Sequence, residues 1–193
     1  MSRLVVVSNR VADPQDAAPG GLAIALEEAL QRQGGLWFGW GGTLTDQPNP
    51  PVSTRQWGPV TIATTALERR DHDSYYSGYC NNLLWPVFHN RLDLARFDPG
   101  SYEGYQRVNR QFAQQRLPLL RDDDISWVNA YHLMALAAEL RALGCKQRIG
   151  FLLHMPFPPL VALSAVPQHQ ALMQAWMAYD LVGLQSQQDL QHF

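Results

Sequence analysis

Leu4-Val5-Val6-Val7-Ser8-Asn9-Arg10 is the stretch that decides the fold of this 193-residue chain. An unbroken apolar run of this kind is typical of a strand buried on both faces of a sheet. After a short loop, Gly20-Gly21 leads directly into a predicted helix. The helix dipole and exposed backbone N–H groups favour anions at such a helix start, and the arginine adds a donor suited to phosphate. The stretch predicts a site for a phosphorylated ligand, although it lacks the full dinucleotide-binding fingerprint.

The rest of the chain alternates between strand patterns and helix patterns. Further strands are predicted at residues 36–40, 60–63, 125–128, 149–153 and 181–184. Helices are predicted within residues 22–30, 68–77, 105–112, 133–140 and 168–179. Pro86 predicts a break, and the Gly-, Pro-, Asn- and Thr-rich residues 41–58 predict a loop. This alternation predicts an α/β fold, a Rossmann-like, mainly parallel sheet with helices on both faces.

Ligands of such sheets bind outside the carboxyl ends of the strands. Arg10, Trp40 and His154 each end or follow a predicted strand, as do residues 129–132, so we expect these side chains to gather along one edge. Residues 122–124, three consecutive aspartates, precede their strand and are expected at the opposite edge. We interpret them as a solvated turn rather than a metal site.

Composition excludes several classes of function. A net charge of -2 gives no general attraction to nucleic acid. No apolar run approaches membrane-spanning length, and the N-terminus lacks a signal-peptide pattern. Cys80 and Cys145 lack metal-site spacing and are expected to be reduced thiols. We therefore expect a cytoplasmic domain that binds neither nucleic acid nor membrane.

Short sequence blocks, in order along nearly the whole chain, carry a family resemblance. They are residues 4–10, 20–23, 35–40, 75–76, 84–89, 91–93, 104–109 and 150–158. Together they resemble the N-terminal half of the trehalose-6-phosphate synthases. These are retaining, UDP-forming glycosyltransferases in which two Rossmann-like domains face each other across a cleft, the GT-B architecture.

The resemblance implies that residues 1–193 form the N-terminal, acceptor-side domain. The implied reaction of trehalose biosynthesis transfers glucose from UDP-glucose to glucose 6-phosphate and gives trehalose 6-phosphate and UDP. By match, Arg10 and Tyr76 would bind the phosphate of glucose 6-phosphate, and Trp40 and Trp85 would line the pocket for its sugar. An arginine and a phenol suit phosphate because both donate hydrogen bonds to it.

On the donor side, the match implies that Gly20 and Gly21 place backbone amides near the diphosphate of UDP-glucose. His154 would be the catalytic residue, touching the donor glucose near the reaction centre. Amides at a helix start stabilise the negative charge that develops on a leaving diphosphate. The resemblance implies no cofactor and no metal.

The sequence departs from the family pattern in two places. The family has a His-Asp-Tyr-His-Leu segment where this chain reads Asn129-Ala130-Tyr131-His132-Leu133. An aspartate at position 130 would accept hydrogen bonds from sugar hydroxyls, which alanine cannot do. The C-terminal donor domain also lies outside these residues. We therefore expect negligible transfer by this chain alone, and apolar surface that favours a homo-oligomer.

Two alternatives remain open. The chain could be a degenerate sugar-phosphate-binding or regulatory module without catalysis, or a related glycosyltransferase with another phosphorylated acceptor. At the level of single residues, Trp40 and Trp85 also fit core positions, and Tyr75 could replace Tyr76 if the helix register differs. His132 is expected to be a structural, hydrogen-bonding residue within its helix.

Overall fold

A computed structural model describes residues 2–11 and 21–193, with residues 21–25 described by backbone alone. Seven strands form one sheet in the order β3-β4-β2-β1-β5-β6-β7. The strands are β1 (Leu4–Arg10), β2 (Gly35–Thr45), β3 (Ser53–Trp57), β4 (Val60–Glu68), β5 (Ile125–Asn129), β6 (Arg148–Leu152) and β7 (Leu181–Gly183). Every neighbouring pair is parallel except β3 and β4. The predicted α/β class and mainly parallel sheet are confirmed.

Helices connect the strands. They are α1 (Gly21–Gln33), α2 (Arg69–Asp71), α3 (Trp85–Phe88), α4 (Ser101–Arg116), α5 (Leu136–Ala142), α6 (Leu160–Leu163), α7 (His169–Trp176) and α8 (Gln187–His192). A π-helix, His72–Leu84, joins α2 to α3, so one helical run carries the chain from the end of β4 to Phe88. None of the described helices has the length and apolar character needed to cross a membrane.

The helices lie on both faces of the sheet. On one face α1 packs Leu26 and Leu30 against Val6, Trp37 and Ile62. The opposite face carries the larger core, which the π-helix, α4, α5 and α7 cover. Residues alternate between these two clusters along β1, as a strand buried on both sides requires.

Backbone contact between β1 and β2 fixes their register. A Cβ at Gly39 would collide with the carbonyl oxygen of Ser8, so only glycine permits this approach. The resulting register sets Trp40 opposite Arg10.

Three parallel strands end at the same edge of the sheet. Arg10 ends β1, Asn129 ends β5, and His154 lies two residues beyond β6. We call this the carboxyl edge. Asp124 lies at the other edge, as predicted, but it is not solvated: it is buried and forms a 2.6 Å ion pair with Arg3.

The loop predicted over residues 41–58 is wrong in part. Strand β2 continues to Thr45, and β3 pairs antiparallel with β4. Ser53, Thr54, Arg55 and Gln56 of β3 are all exposed, so this edge strand has no apolar alternation by which a sequence could reveal it.

The predicted helix over residues 68–77 and the predicted break at Pro86 also need correction. Glu68 still belongs to β4, and the helical run continues through Pro86 to Phe88. Proline is tolerated inside this run because the Asn82 carbonyl, four residues before it, accepts a 2.8 Å hydrogen bond from the Arg96 N–H instead.

Candidate functional site

Arg10 and Trp40 form the first part of the site. The Arg10 Cζ lies 5.6 Å from the centre of the Trp40 ring, and the guanidinium remains exposed. Trp40 is buried and belongs to the larger core, as its alternative core position predicted, and its indole N–H donates to the Thr43 carbonyl at 2.8 Å. Gly42, at φ 92°, borders the guanidinium, where a side chain would crowd it. A positive charge is thus held over an aromatic face at the carboxyl edge.

Adjacent tyrosines of the π-helix have different environments. Tyr75 is fully buried and donates a 2.7 Å hydrogen bond to Asn9 Oδ1. Burial raises the pKa of Tyr75 well above its ordinary value. Tyr76 is only partly buried, and its ring centre lies 6.2 Å from that of Trp40. Tyr76, and not Tyr75, therefore lies beside Trp40, which decides the helix register that the sequence left open.

Ring contacts extend from Trp40 into an aromatic cluster of Trp40, His72, Tyr76, Tyr131 and His132. His72 lies 5.4 Å from Trp40 and 5.3 Å from Tyr76 between ring centres. Tyr76 stacks on His132 at 5.6 Å, and Tyr131 lies 4.0 Å from His132. Sequence reasoning did not single out His72, although its position four residues before Tyr76 places it on the same helix face.

His132 is a buried base without a polar partner. Neither ring nitrogen has a hydrogen-bond partner among residues 2–11 and 21–193. Burial lowers the pKa of His132 to about 3, so its ring is neutral near pH 7. The expected structural role agrees with this burial, but the side-chain hydrogen bonding expected with it is wrong for the described residues.

Ala130 has an unusual backbone. Its φ of 73° and ψ of 151° belong to a region that is almost restricted to glycine. Its N–H donates to the Leu152 carbonyl at 3.2 Å, which ties this residue to the end of β6. The strain lies where the sequence departs from the family pattern.

His154 and Asn129 meet at the carboxyl edge. The His154 Nε2 lies 2.9 Å from Asn129 Oδ1. Asn129 is fully buried and His154 is partly buried. Burial lowers the pKa of His154 and favours a neutral ring.

Trp85, unlike Trp40, is exposed to solvent. Its side chain is 42% exposed, and His89 stacks on it with 4.2 Å between ring centres. No ring contact among the described residues joins Trp85 to Trp40 or Tyr76, so the structure does not bring these side chains together directly. A hydrogen bond of 2.8 Å from the Tyr131 hydroxyl to Asn81, on the helix turn before Trp85, links the two regions.

The glycine pair is described only in part. Gly20 lies outside the described residues. Gly21 begins α1, which ends at Gln33, two residues before β2 starts. Because β1 and β2 are parallel, the helix between them returns from the carboxyl edge, where its positive N-terminal end must lie.

No group of three His, Cys, Asp or Glu residues within the described ranges is arranged to hold a metal ion. The site consists of one exposed guanidinium, a phenol, aromatic faces and the neutral imidazoles of His132 and His154. This set offers donors for an anion and flat apolar area for a sugar ring.

A family model, glycosyltransferase family 20, matches residues 4–193. This chain belongs to that family. It is 47% identical over 195 residues to trehalose-6-phosphate synthase of Enterobacter sp. (strain 638), covering 100% of this chain and 41% of that protein. The chain therefore spans about two fifths of the length of the relatives it matches.

Solved structures share this fold. An alpha,alpha-trehalose-phosphate synthase (UDP-forming) from Burkholderia xenovorans, in complex with glucose-6-phosphate, is 50% identical with a TM-score of 0.95. The match covers 100% of this chain and 42% of that one. An E. coli structure bound with UDP-2-fluoro glucose is 45% identical with a TM-score of 0.91, covering 99% of this chain and 41% of that one.

Proposed function

We propose that this chain is the acceptor-side domain of a trehalose-6-phosphate synthase and binds glucose 6-phosphate at its carboxyl edge. The observation that carries the proposal is the Arg10 guanidinium over Trp40 with Tyr76 beside it. Support comes from the family match and from a solved relative that holds glucose-6-phosphate.

Arg10 and Tyr76 bind the phosphate in this proposal. The exposed guanidinium supplies charge-assisted hydrogen bonds, and the phenol adds a neutral donor. Trp85 supplies apolar area to the C–H groups of the sugar, and Trp40, only 6% exposed, lines the pocket beneath Arg10. Trp85 has this area available because its side chain remains 42% exposed although His89 stacks on it.

Gly21 and His154 belong to the donor side of the same proposal. Backbone amides at the start of α1 stabilise the charge on the departing UDP, and His154 contacts the glucose that is transferred. A solved E. coli relative holds UDP-2-fluoro glucose, which supports UDP-glucose as the donor. For Gly20, the proposed amide contact with the diphosphate rests on its position in the sequence alone.

Turnover requires more than these 193 residues. About three fifths of the length of the relatives has no counterpart here, and we propose that this portion supplies the opposite wall of the cleft. We expect negligible UDP release by this chain, which we place in the cytoplasm. Exposed Leu160, Val161 and Met177 support self-association of the chain.

Calorimetric titration with glucose 6-phosphate tests the binding site. Arg10→Ala removes a charge-assisted contact worth about 1.5–3 kcal/mol, so affinity falls about ten- to a hundred-fold. Arg148→Ala removes an equal charge at the opposite edge of the sheet and leaves affinity unchanged. Equal losses in the two variants, or no binding by the unsubstituted chain at millimolar ligand, would contradict the proposal.

Ala130 supports a second candidate function. A relative without the sugar-binding aspartate could be a binding module without catalysis or could use a different phosphorylated acceptor. A panel of sugar and polyol phosphates tests the second of these: a preference for glucose 6-phosphate supports the first proposal, and a preference for another member supports a different acceptor.

A further inference from the structure

The Asn129 side chain has its orientation fixed by backbone carbonyls. Its Nδ2 donates to the Val7 carbonyl at 3.4 Å and to the Trp127 carbonyl at 3.2 Å. A carbonyl oxygen accepts hydrogen bonds and never donates them, so the NH₂ group must face these two atoms. The Oδ1 atom is therefore the one that faces His154, at 2.9 Å from Nε2.

This geometry determines which nitrogen of His154 carries the proton. Oδ1 of an amide only accepts, so Nε2 must donate. A neutral imidazole has one N–H, which leaves Nδ1 with a lone pair. Among the residues that the structure describes, none forms a hydrogen bond at Nδ1.

We propose that Asn129 is a positioning residue that holds His154 as the Nε2–H tautomer and thereby presents Nδ1 as a hydrogen-bond acceptor at the carboxyl edge. The chemical consequence is selectivity for a hydroxyl group, since a lone pair accepts a hydroxyl proton and repels a phosphate oxygen. That the hydroxyl belongs to a sugar rests on the proposed function. The tautomer itself does not.

The pairing of Asn129 with His154 follows from the register of two neighbouring strands. Asn129 ends β5 opposite Leu152 of β6, two residues before His154. Asn129 also directly precedes the strained Ala130. The backbone of Ala130 and the side-chain hydrogen bonds of Asn129 are therefore fixed together at the end of β5. An orienting partner behind a functional histidine commonly sets its tautomer in this way.

Two variants separate positioning from simple packing. Asn129→Asp and Asn129→Leu have side chains of comparable size, and both lose the N–H donors to Val7 and Trp127. Only Asp keeps an acceptor opposite Nε2. Loss of packing or of the two donors therefore affects both variants, whereas loss of the acceptor affects Leu alone.

Long-range ¹H–¹⁵N correlation NMR on the 193-residue chain reads the tautomer directly, with His154→Gln to assign the signals. At mildly alkaline pH the unsubstituted chain and Asn129→Asp show a single Nε2–H tautomer with a protected ring proton. Asn129→Leu shows the mixture of tautomers of a free imidazole and loses that protection.

An Nδ1–H tautomer or a mixture in the unsubstituted chain overturns the proposal, as does a folded Leu variant that keeps a single tautomer. If the Leu variant does not fold, the unsubstituted and Asp spectra still decide. The measurement uses no ligand, so failure to bind glucose 6-phosphate would remove the proposed function and leave this result standing.

Discussion

At the scale of one residue, the backbone conformation of Ala130 conflicts with the preference of alanine. Its φ of 73° and ψ of 151° cost about 1–3 kcal/mol for a residue with a Cβ. The hydrogen bond from its N–H to Leu152 and the neighbouring Asn129 network hold it there. Its neighbours Asn129 and Tyr131 form side-chain hydrogen bonds with His154 and Asn81, so the strained residue lies within a connected network.

Ala130→Gly is expected to stabilise the chain by about 1 kcal/mol, because glycine adopts this conformation without the clash of a Cβ. Urea unfolding measures the change. Ala138→Gly, in the middle of α5, is the matched control and is expected to destabilise by about 1 kcal/mol. Equal destabilisation by the two variants would show that Ala130 is not strained.

Ala130→Asp introduces the carboxylate that the family pattern has at this position. If the chain binds glucose 6-phosphate as proposed, the carboxylate accepts sugar hydroxyls and raises affinity about ten-fold. Calorimetry with glucose 6-phosphate and with inorganic phosphate separates the effects, because inorganic phosphate has no sugar hydroxyl and should bind no better. A parallel gain for both ligands, or a gain for neither, would argue against a sugar site next to Ala130.

At the scale of elements, the π-helix His72–Leu84 decides which side chains reach the site. Its wider turn places Tyr75 in the core against Asn9 and leaves Tyr76 beside Trp40. At 13 residues this π-helix is much longer than the single-turn π-bulges that occur inside α-helices. Propensity and apolar spacing do not distinguish a π-helix from an α-helix, so the sequence predicted a helix here without its register.

Tyr75→Phe and Tyr76→Phe should therefore have opposite consequences. Tyr75→Phe leaves the buried Asn9 Oδ1 without its donor and lowers the free energy of unfolding by about 1–3 kcal/mol, with affinity for glucose 6-phosphate unchanged. Tyr76→Phe leaves stability within about 0.5 kcal/mol and weakens binding, since it removes a donor to phosphate. Urea unfolding and calorimetry on each variant measure both quantities, and an affinity loss confined to Tyr75→Phe would reverse the assignment.

Particular elements show what the sequence could predict. The apolar run before Arg10 and the strand-end position of His154 were enough to place both residues at one edge, because parallel strands share a direction. The bond between His154 and Asn129 could not be predicted, since it depends on the register of two strands and on an amide orientation set by a third. Strand β3 was missed because its residues face solvent and carry no apolar period.

At the scale of the whole molecule, helices cover both faces of the sheet, and the candidate site residues lie at its carboxyl edge. Aromatic rings connect Trp40 on β2 to His132 beyond β5, across the end of β1, so the site spans the middle of the sheet. This arrangement buries ionisable groups inside the fold. Stability and site chemistry are consequently coupled through pH, and His132 is the clearest case.

His132 should make the chain less stable in mild acid. Burial lowers its pKa to about 3 in the folded state, whereas an unfolded histidine titrates near about 6.5. Between these values the unfolded state binds the extra proton, so the free energy of unfolding is highest above about pH 6.5 and falls by up to about 1.4 kcal/mol per pH unit below it. Urea unfolding between about pH 7.5 and pH 5 measures the slope above the range in which most carboxylates titrate.

His132→Gln removes the titrating group and should flatten this slope, even though it also costs packing and lowers stability at every pH. The partly buried His154 contributes in the same direction, since burial lowers its pKa too, so a residual slope remains in His132→Gln. A slope as steep in His132→Gln as in the unsubstituted chain would mean that His132 is protonated in the folded state, and that the ring stacked on Tyr76 carries a charge into the site.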